Sequence, residues 1–465
     1  MSFCLTASAV RQRTHRMSDG SVLTFKVEAP RTNRVLQTIR LDWDPNKVYK
    51  LPVVLVSFAD CDFKEEHDLQ FYKDLFNKKG FNLGHGPGCV ADYFYDQSRG
   101  LFNVEFDVVG PIKLTTNQKA SHDSNFGTNQ FRQAIKDAAS QLNYADYDWD
   151  GDYREETVII IFAGYGGNET SSAADNCIRP NTDNLYFSID GIRIGGYSAS
   201  PEMWTNNQSC GIGSICHELS HVLGLPDVYP TSGAEYSVCD EWNLMDGGNY
   251  ADDGWCPPNY SAQEREIVNW QSPEELTENC TITDMPSYNS TGKSYKIVNS
   301  ENPNEYYTLE NRQWEGWDYM LPNHGLLITH VKYDDKAWRE NRINTLRYDH
   351  RFEYLHADGL DYNNYFAMYN KNDLHGADGR SKMLKNTTYP YMDAVIPVLY
   401  GVSISDVTEN DGLISFNCVV GGDGISTVVD EQSDDTHWYD LQGRRLNCKP
   451  THKGVYIHNR KKVAL

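Results

Sequence analysis

The segment Thr157–Phe162 (TVIIIF) is apolar at five successive positions, on odd and even residues alike. Periodicity of that kind fits a strand buried on both faces rather than one with a solvated side. Leu51–Phe58 (LPVVLVSF) is a second apolar run of strand length. Phe102, Val104, Phe106 and Val108 alternate with polar residues, the pattern of a half-buried strand. Between these lie Phe131, Ile135, Ala138 and Leu142 at helical spacing. Strands mixed with helices over residues 49–272 predict an α+β fold, a twisted mixed sheet with packed helices.

After about residue 272 the texture changes. Glu305–Glu310, Gly325–Tyr333 and Gly412–Val420 read as strands between Gly, Asn and Asp turns, so 273–420 is expected to be a mostly β domain. Residues 421–436 are rich in Gly, Ser and Asp and read as a linker, followed by a short β module at 437–465. A length of 465 residues agrees with two or three domains. The net charge of −23 argues against sequence-independent nucleic-acid binding, which needs a basic face. No apolar run is long enough to span a membrane as a helix. Eleven scattered cysteines without a CxxC pair imply neither a dense disulfide scaffold nor a zinc ribbon, though Cys239 and Cys256 are close enough in sequence to bridge a loop. Residues 1–10 read as the tail of a secretory signal, at the head of a polar leader that extends to residue 48.

The chemistry concentrates in Ile212–Asp227 (IGSICHELSHVLGLPD). Ile212, Ile215, Cys216, Leu219, Val222 and Leu223 trace an amphipathic helix. His217 and His221 are four residues apart, so both rings lie on one face and can reach one Zn²⁺. Glu218 stands where a carboxylate can take a proton from a zinc-bound water, which makes this an HExxH motif. Gly224 supplies the left-handed residue at which such a helix stops, and Asp227 follows on a chain turned back toward the metal. Asp227 as third ligand leaves a fourth position for water. The alternative is that Asp227 is a turn residue and that a His or Glu from elsewhere completes the site. Met245 lies in a Gly-rich turn downstream (WNLMDGGNY), with Tyr250 five residues later as a candidate oxyanion donor.

The extended pattern HExxHxxGxxD resembles the long zinc motif of the metzincins, with Asp in place of their usual third His. With LPVVLVSFAD, ADYFYDQSRGLFNVEFDVVGPI, CHELSHVLGLPDVY, NLMDGGNY and YSAQEREIVNW, the chain is similar to the immune inhibitor A family of secreted bacterial metallopeptidases, and the likeness continues through NEYYTLENRQWEGWDYMLPNHGLLITHVKYD. The resemblance implies a metzincin-like zinc endopeptidase, made with an N-terminal pro-segment and acting on proteins or peptides. It implies His217, His221 and Asp227 as zinc ligands, Glu218 as general base and Met245 as the Met-turn residue. The last module, WYDLQGRR…KGVYI…KKV, resembles the sorting domains of type IX-exported proteins, which implies a secreted or cell-surface location and contact with export machinery.

Two rival functions remain from the sequence. One is a surface adhesion or binding protein whose metzincin-like domain has lost activity; the other is amide hydrolysis in deformylase fashion, which Gly224, Asp227 and Met245 argue against. A second metal candidate is the loop Asp146–Glu156 (DYDWDGDYREE), in which Asp148, Asp150, Asp152 and Glu156 can offer oxygens to a structural Ca²⁺. The alternative there is an acidic turn. His324 and His330 share strand parity and read as structural, and His356 and Asp358 form a weaker pair of candidates.

Overall fold

The computed structural model describes residues 11–27, 42–119, 127–231, 238–346, 349–355, 399 and 401–420, together with short strands between 438 and 464. Residues 1–10, His356, Asp358 and the linker at 421–436 lie outside the described residues. Residues 1–421 form one compact unit and residues 422–465 a second.

The first unit is built on a six-stranded mixed sheet. Its order is Asn103–Lys113, Val48–Ser57, Val158–Tyr165, Ile192–Met203 and Arg154–Glu155, all parallel neighbours, with Asn181–Ile189 antiparallel to Ile192–Met203. The apolar runs are the inner strands, as their lack of periodicity requires. Val53, Leu55, Ile159 and Ile161 face one core, beneath helices Leu69–Asn77, Val90–Gln97 and Gly213–Val222. Val54, Val56, Ile160 and Phe162 face the other, against helix Thr128–Ala138. The residues expected to be half-buried behave so: Val104, Phe106 and Val108 point inward and their neighbours outward. The fold is therefore mixed α+β.

Downstream, Phe352–Tyr354, Gly325–Lys332, Asn302–Arg312, Ser294–Asn299 and Glu274–Glu275 make a five-stranded sheet. Cys280–Met285, Leu413–Val419 and Ser403–Asn410 make a three-stranded one. A fully buried charge group ties this β-rich part to the end of the upstream part. Arg312 Nε and Nη2 both donate to Asp318, at 2.7 and 2.6 Å, and Nη1 donates to Glu310 at 3.0 Å. The remaining lone pairs accept backbone N–H groups of Asn259 and Ala262, at the entry to helix Ala262–Ile267. A bidentate guanidinium with every oxygen used is the geometry that offsets burial of the charges.

At the N-terminus, Arg11–Arg16 and Val22–Val27 form a hairpin. It bonds to residues 168–170 through Lys26 N–Asn168 O and Thr170 N–Thr24 O, and packs Met17, Leu23 and Phe25 against Trp204 and Tyr250. The second unit holds a small antiparallel sheet, in the order Arg445–Leu446, Trp438–Tyr439, Val455–His458, Lys461–Ala464. No helix among the described residues is long and apolar enough to cross a membrane. Cys239 and Cys256 are both buried free thiols, and Cys280 stands opposite Cys418 across an antiparallel pair.

His330 is structural, as its strand position implies: Glu305 and Glu353 bracket its two ring nitrogens at 3.0 and 3.1 Å. Burial alone would raise the Glu353 carboxyl, but His330 and His350 outweigh it and hold it at about 2. A carboxyl depressed on folding stabilises fully above its unfolded pKa, about 4.3, and that stability fades as pH falls toward 2. Glu353→Gln is therefore expected to flatten the acid limb of a urea-unfolding profile between those values. Asp318→Ala, which strands the Arg312 charge, is expected to cost about 3–5 kcal/mol by the same measurement at neutral pH.

Candidate metal and catalytic site

Helix Gly213–Val222 is buried along all but its last residue, so its polar face looks into the protein rather than into water. His217 and His221 project from that face with ring centroids 4.9 Å apart. Each ring is fixed from behind by a carbonyl: His217 Nδ1 lies 2.9 Å from Leu244 O, and His221 Nδ1 lies 2.8 Å from Leu225 O. A carbonyl accepts only, so both Nδ1 atoms carry the hydrogen and both Nε2 lone pairs are presented to the site.

The helix ends as the glycine spacing requires. Gly224 has φ +100, and Leu225 N closes the turn on Ser220 O at 3.1 Å. The reversed chain brings Asp227 Oδ1 within 3.2 Å of His217 Nε2 and 3.3 Å of His221 Nε2. Asp227 is 2% exposed, and this oxygen has no hydrogen-bond donor. Three lone-pair atoms thus converge in a buried space, where they repel unless a proton or a cation lies between them. That is the donor set a divalent cation such as Zn²⁺ takes. With protein atoms alone the proton does this work. Burial opposes charge on His217, yet the adjacent Asp227 carboxylate and the Glu218 charge prevail and push it up to about 9. Burial alone would raise the Asp227 carboxyl, but the two imidazoles hold it well below the usual carboxylate range.

Glu218 stands beside this group with its Oε2 2.7 Å from the Thr182 hydroxyl, which is also 2.9 Å from the Glu218 carbonyl oxygen. Thr182 lies on Asn181–Ile189, the strand antiparallel to the rest of the mixed sheet. Met245 is fully buried, and its turn ties the pieces together. The carbonyl of Leu244 holds His217, and that of Met245 accepts from Val228 N at 2.9 Å, one residue past Asp227. Tyr250 stacks on Phe25 of the N-terminal hairpin at 4.2 Å, and its phenol accepts from Asn168 Nδ2 at 3.2 Å.

Three contributors were not legible in the sequence. Thr182 sits in an unremarkable polar strand. The Tyr229 phenol lies beside Asp227 and in the field of Glu218, with its pKa raised chiefly by burial. Asn341 brackets Asp227, taking its N–H on Oδ1 and donating from Nδ2 to Asp227 Oδ2, both at 2.6 Å. Only Tyr229, two residues beyond Asp227, carried any local signal.

In the acidic loop, Asp148, Asp150 and Glu156 bring carboxylate oxygens within 4.8 Å of one another. Asp152 does not join that group and pairs with Arg193 at 3.2 Å. Asp148 accepts from the backbone N–H groups of Gly151, Asp152 and Tyr153, so the loop is wound around its side chain. Burial first, and then the Asp150 charge, push Glu156 up to about 7.

Residues 163–272 match the family model described as Immune inhibitor A peptidase M6, catalytic domain. The chain is 24% identical over 308 residues to "Pre-pro-metalloprotease PrtV" of Vibrio cholerae serotype O1, covering 56% of this chain and 32% of that protein. It is 28% identical over 282 residues to "Immune inhibitor A" of Bacillus thuringiensis subsp. alesti, covering 50% of this chain and 40% of that protein. The aligned part thus spans well under half the length of either relative, and the HExxH helix falls inside the matched domain.

Removing Asp227 leaves burial with less to oppose it. In chelator-treated Asp227→Ala the His217 pKa is expected to fall well below about 9, read by NMR titration of the imidazole C–H signals. An unchanged pKa would mean that Asp227 does not face the histidine in solution.

Proposed function

We propose that the chain is a secreted zinc endopeptidase whose catalytic part, residues 49–272, is of the metzincin kind. The observation that carries this is the convergence of His217 Nε2, His221 Nε2 and the donor-free Asp227 Oδ1 beside Glu218, inside the segment that matches a peptidase M6 catalytic domain. One relative's name, a metalloprotease, agrees with it.

His217, His221 and Asp227 are the residues that would hold Zn²⁺, two neutral imidazoles and one carboxylate. When bound, the ion supplies a Lewis acid that polarises the scissile carbonyl and acidifies water. The Leu244 and Leu225 carbonyls keep both histidines in the tautomer that presents Nε2. Glu218, turned by Thr182, takes the proton of the attacking water and returns it to the leaving amine nitrogen. The phenols of Tyr229 and Tyr250 are the candidate side-chain donors for the oxyanion that develops on the carbonyl. Met245 does not ligate; its turn braces the ligand loop from below.

The remaining parts fit an exported enzyme. Residues 1–48 serve as a pro-segment-like leader, 273–420 as a β-rich companion to the catalytic part, and 437–465 as a sorting module read by export machinery. The net charge of −23 favours solubility outside the cell. Asp148, Asp150 and Glu156 would take a structural Ca²⁺, for which Glu156 would give up its proton.

Glu218→Gln separates this function from that of an inactive binding protein. The variant is expected to keep wild-type zinc by elemental analysis while casein hydrolysis falls by about 10²–10⁴-fold. Cleavage at the wild-type rate would remove Glu218 from the mechanism, and a zinc-loaded wild type that cleaves nothing would favour the binding protein.

A further inference from the structure

Asn341 lies 114 residues from Asp227 and outside the matched catalytic segment. It follows the short helix Asp335–Arg339 with φ +56, a left-handed conformation that asparagine tolerates better than most residues. Its side chain is 3% exposed and both of its ends are used on one residue. The amide oxygen takes the Asp227 backbone N–H, and the amide nitrogen donates to Asp227 Oδ2, each at 2.6 Å. The Asn341 carbonyl also accepts from the Thr231 hydroxyl at 2.9 Å, which fixes the far end of the same loop.

The chemical effect is selective. A carboxylate has two equivalent oxygens and can rotate to offer either or both. With Oδ2 occupied by a donor and the backbone of the same residue held, Asp227 is left with a single free oxygen, the one that faces both histidine Nε2 atoms. Only an amide of this length performs both tasks. An aspartate at 341 would still accept the N–H but would repel Oδ2, and an alanine would do neither.

We propose that Asn341 is a positioning residue for the metal site: the β-rich region reaches back to orient Asp227 as a one-oxygen ligand. This rests on the reading that His217, His221 and Asp227 hold zinc. Partners of this kind behind a metal ligand typically tune affinity by 10–100-fold.

A buried asparagine elsewhere in the β-rich region supplies the control. Asn311 donates to Met285 O at 2.7 Å and Gly412 O at 2.8 Å, and accepts from Gln313 Nε2. The test uses the full chain and measures zinc affinity by competition with a chromophoric chelator. It also records the visible absorption of the cobalt-substituted protein and the melting temperature of each metal-free form. Asn341→Ala and Asn341→Asp are expected to weaken zinc about 10–100-fold and to change the cobalt spectrum. Asn311→Ala is expected to lower the melting temperature while zinc affinity and cobalt spectrum stay as in wild type. If the alanine variant does not fold, the near-isosteric Asn341→Asp decides alone. Wild-type zinc affinity in Asn341→Asp, or an equal loss in Asn311→Ala, would overturn the proposal and leave the metal site standing. A wild-type chain that binds no zinc would overturn the metal reading and the proposal with it.

Discussion

A carboxylate facing two imidazoles inside a protein sets the conditions that the surrounding structure meets. Asp227, His217 and His221 are each less than a tenth exposed, and removing charged groups from water costs several kcal/mol per ion. Such a group persists only if every other polar atom around it is satisfied. The neighbouring architecture answers that need: the Leu244 and Leu225 carbonyls behind the rings, the Asn341 amide behind the carboxylate, and the Met245 carbonyl on the loop between them. What is left unsatisfied, Asp227 Oδ1 and two nitrogen lone pairs, is the place proposed for a cation.

This arrangement depends on rigid supports from several parts of the chain. The helix that carries the histidines is pressed against the mixed sheet by the same core that holds Leu69–Asn77 and Val90–Gln97. The antiparallel strand Asn181–Ile189 brings Thr182 to Glu218. The β-rich region is coupled twice, through Asn341 and Asn344 at the loop that carries Asp227 and through Arg312 with Asp318 and Glu310 at helix Ala262–Ile267. Residues on either side of position 272 therefore share one core, and the first coupling makes the β-rich region a mechanical part of the site's surroundings.

Much of this was legible in advance because it is local and periodic. TVIIIF and LPVVLVSF became inner strands because residues apolar on both faces must be covered on both faces. The helical spacing of Phe131, Ile135, Ala138 and Leu142 becomes helix Thr128–Ala138, with Leu142 just past its end. In the acidic loop the count of carboxylates was readable but their aim was not. Asp152, one residue beyond Gly151, turns to Arg193 rather than to its neighbours.

By itself the sequence determined which residues are the candidates for the chemistry and how they are spaced. The four-residue step of His217 and His221, the stop at Gly224 and the return at Asp227 all follow from helix geometry acting over a dozen residues. Only the tertiary structure decided which groups hold them. Thr182 is 36 residues from Glu218 and Asn341 is 114 from Asp227. A hydrogen bond over such a distance depends on the direction of one side chain after two separate elements have packed. No periodicity along the chain records that direction.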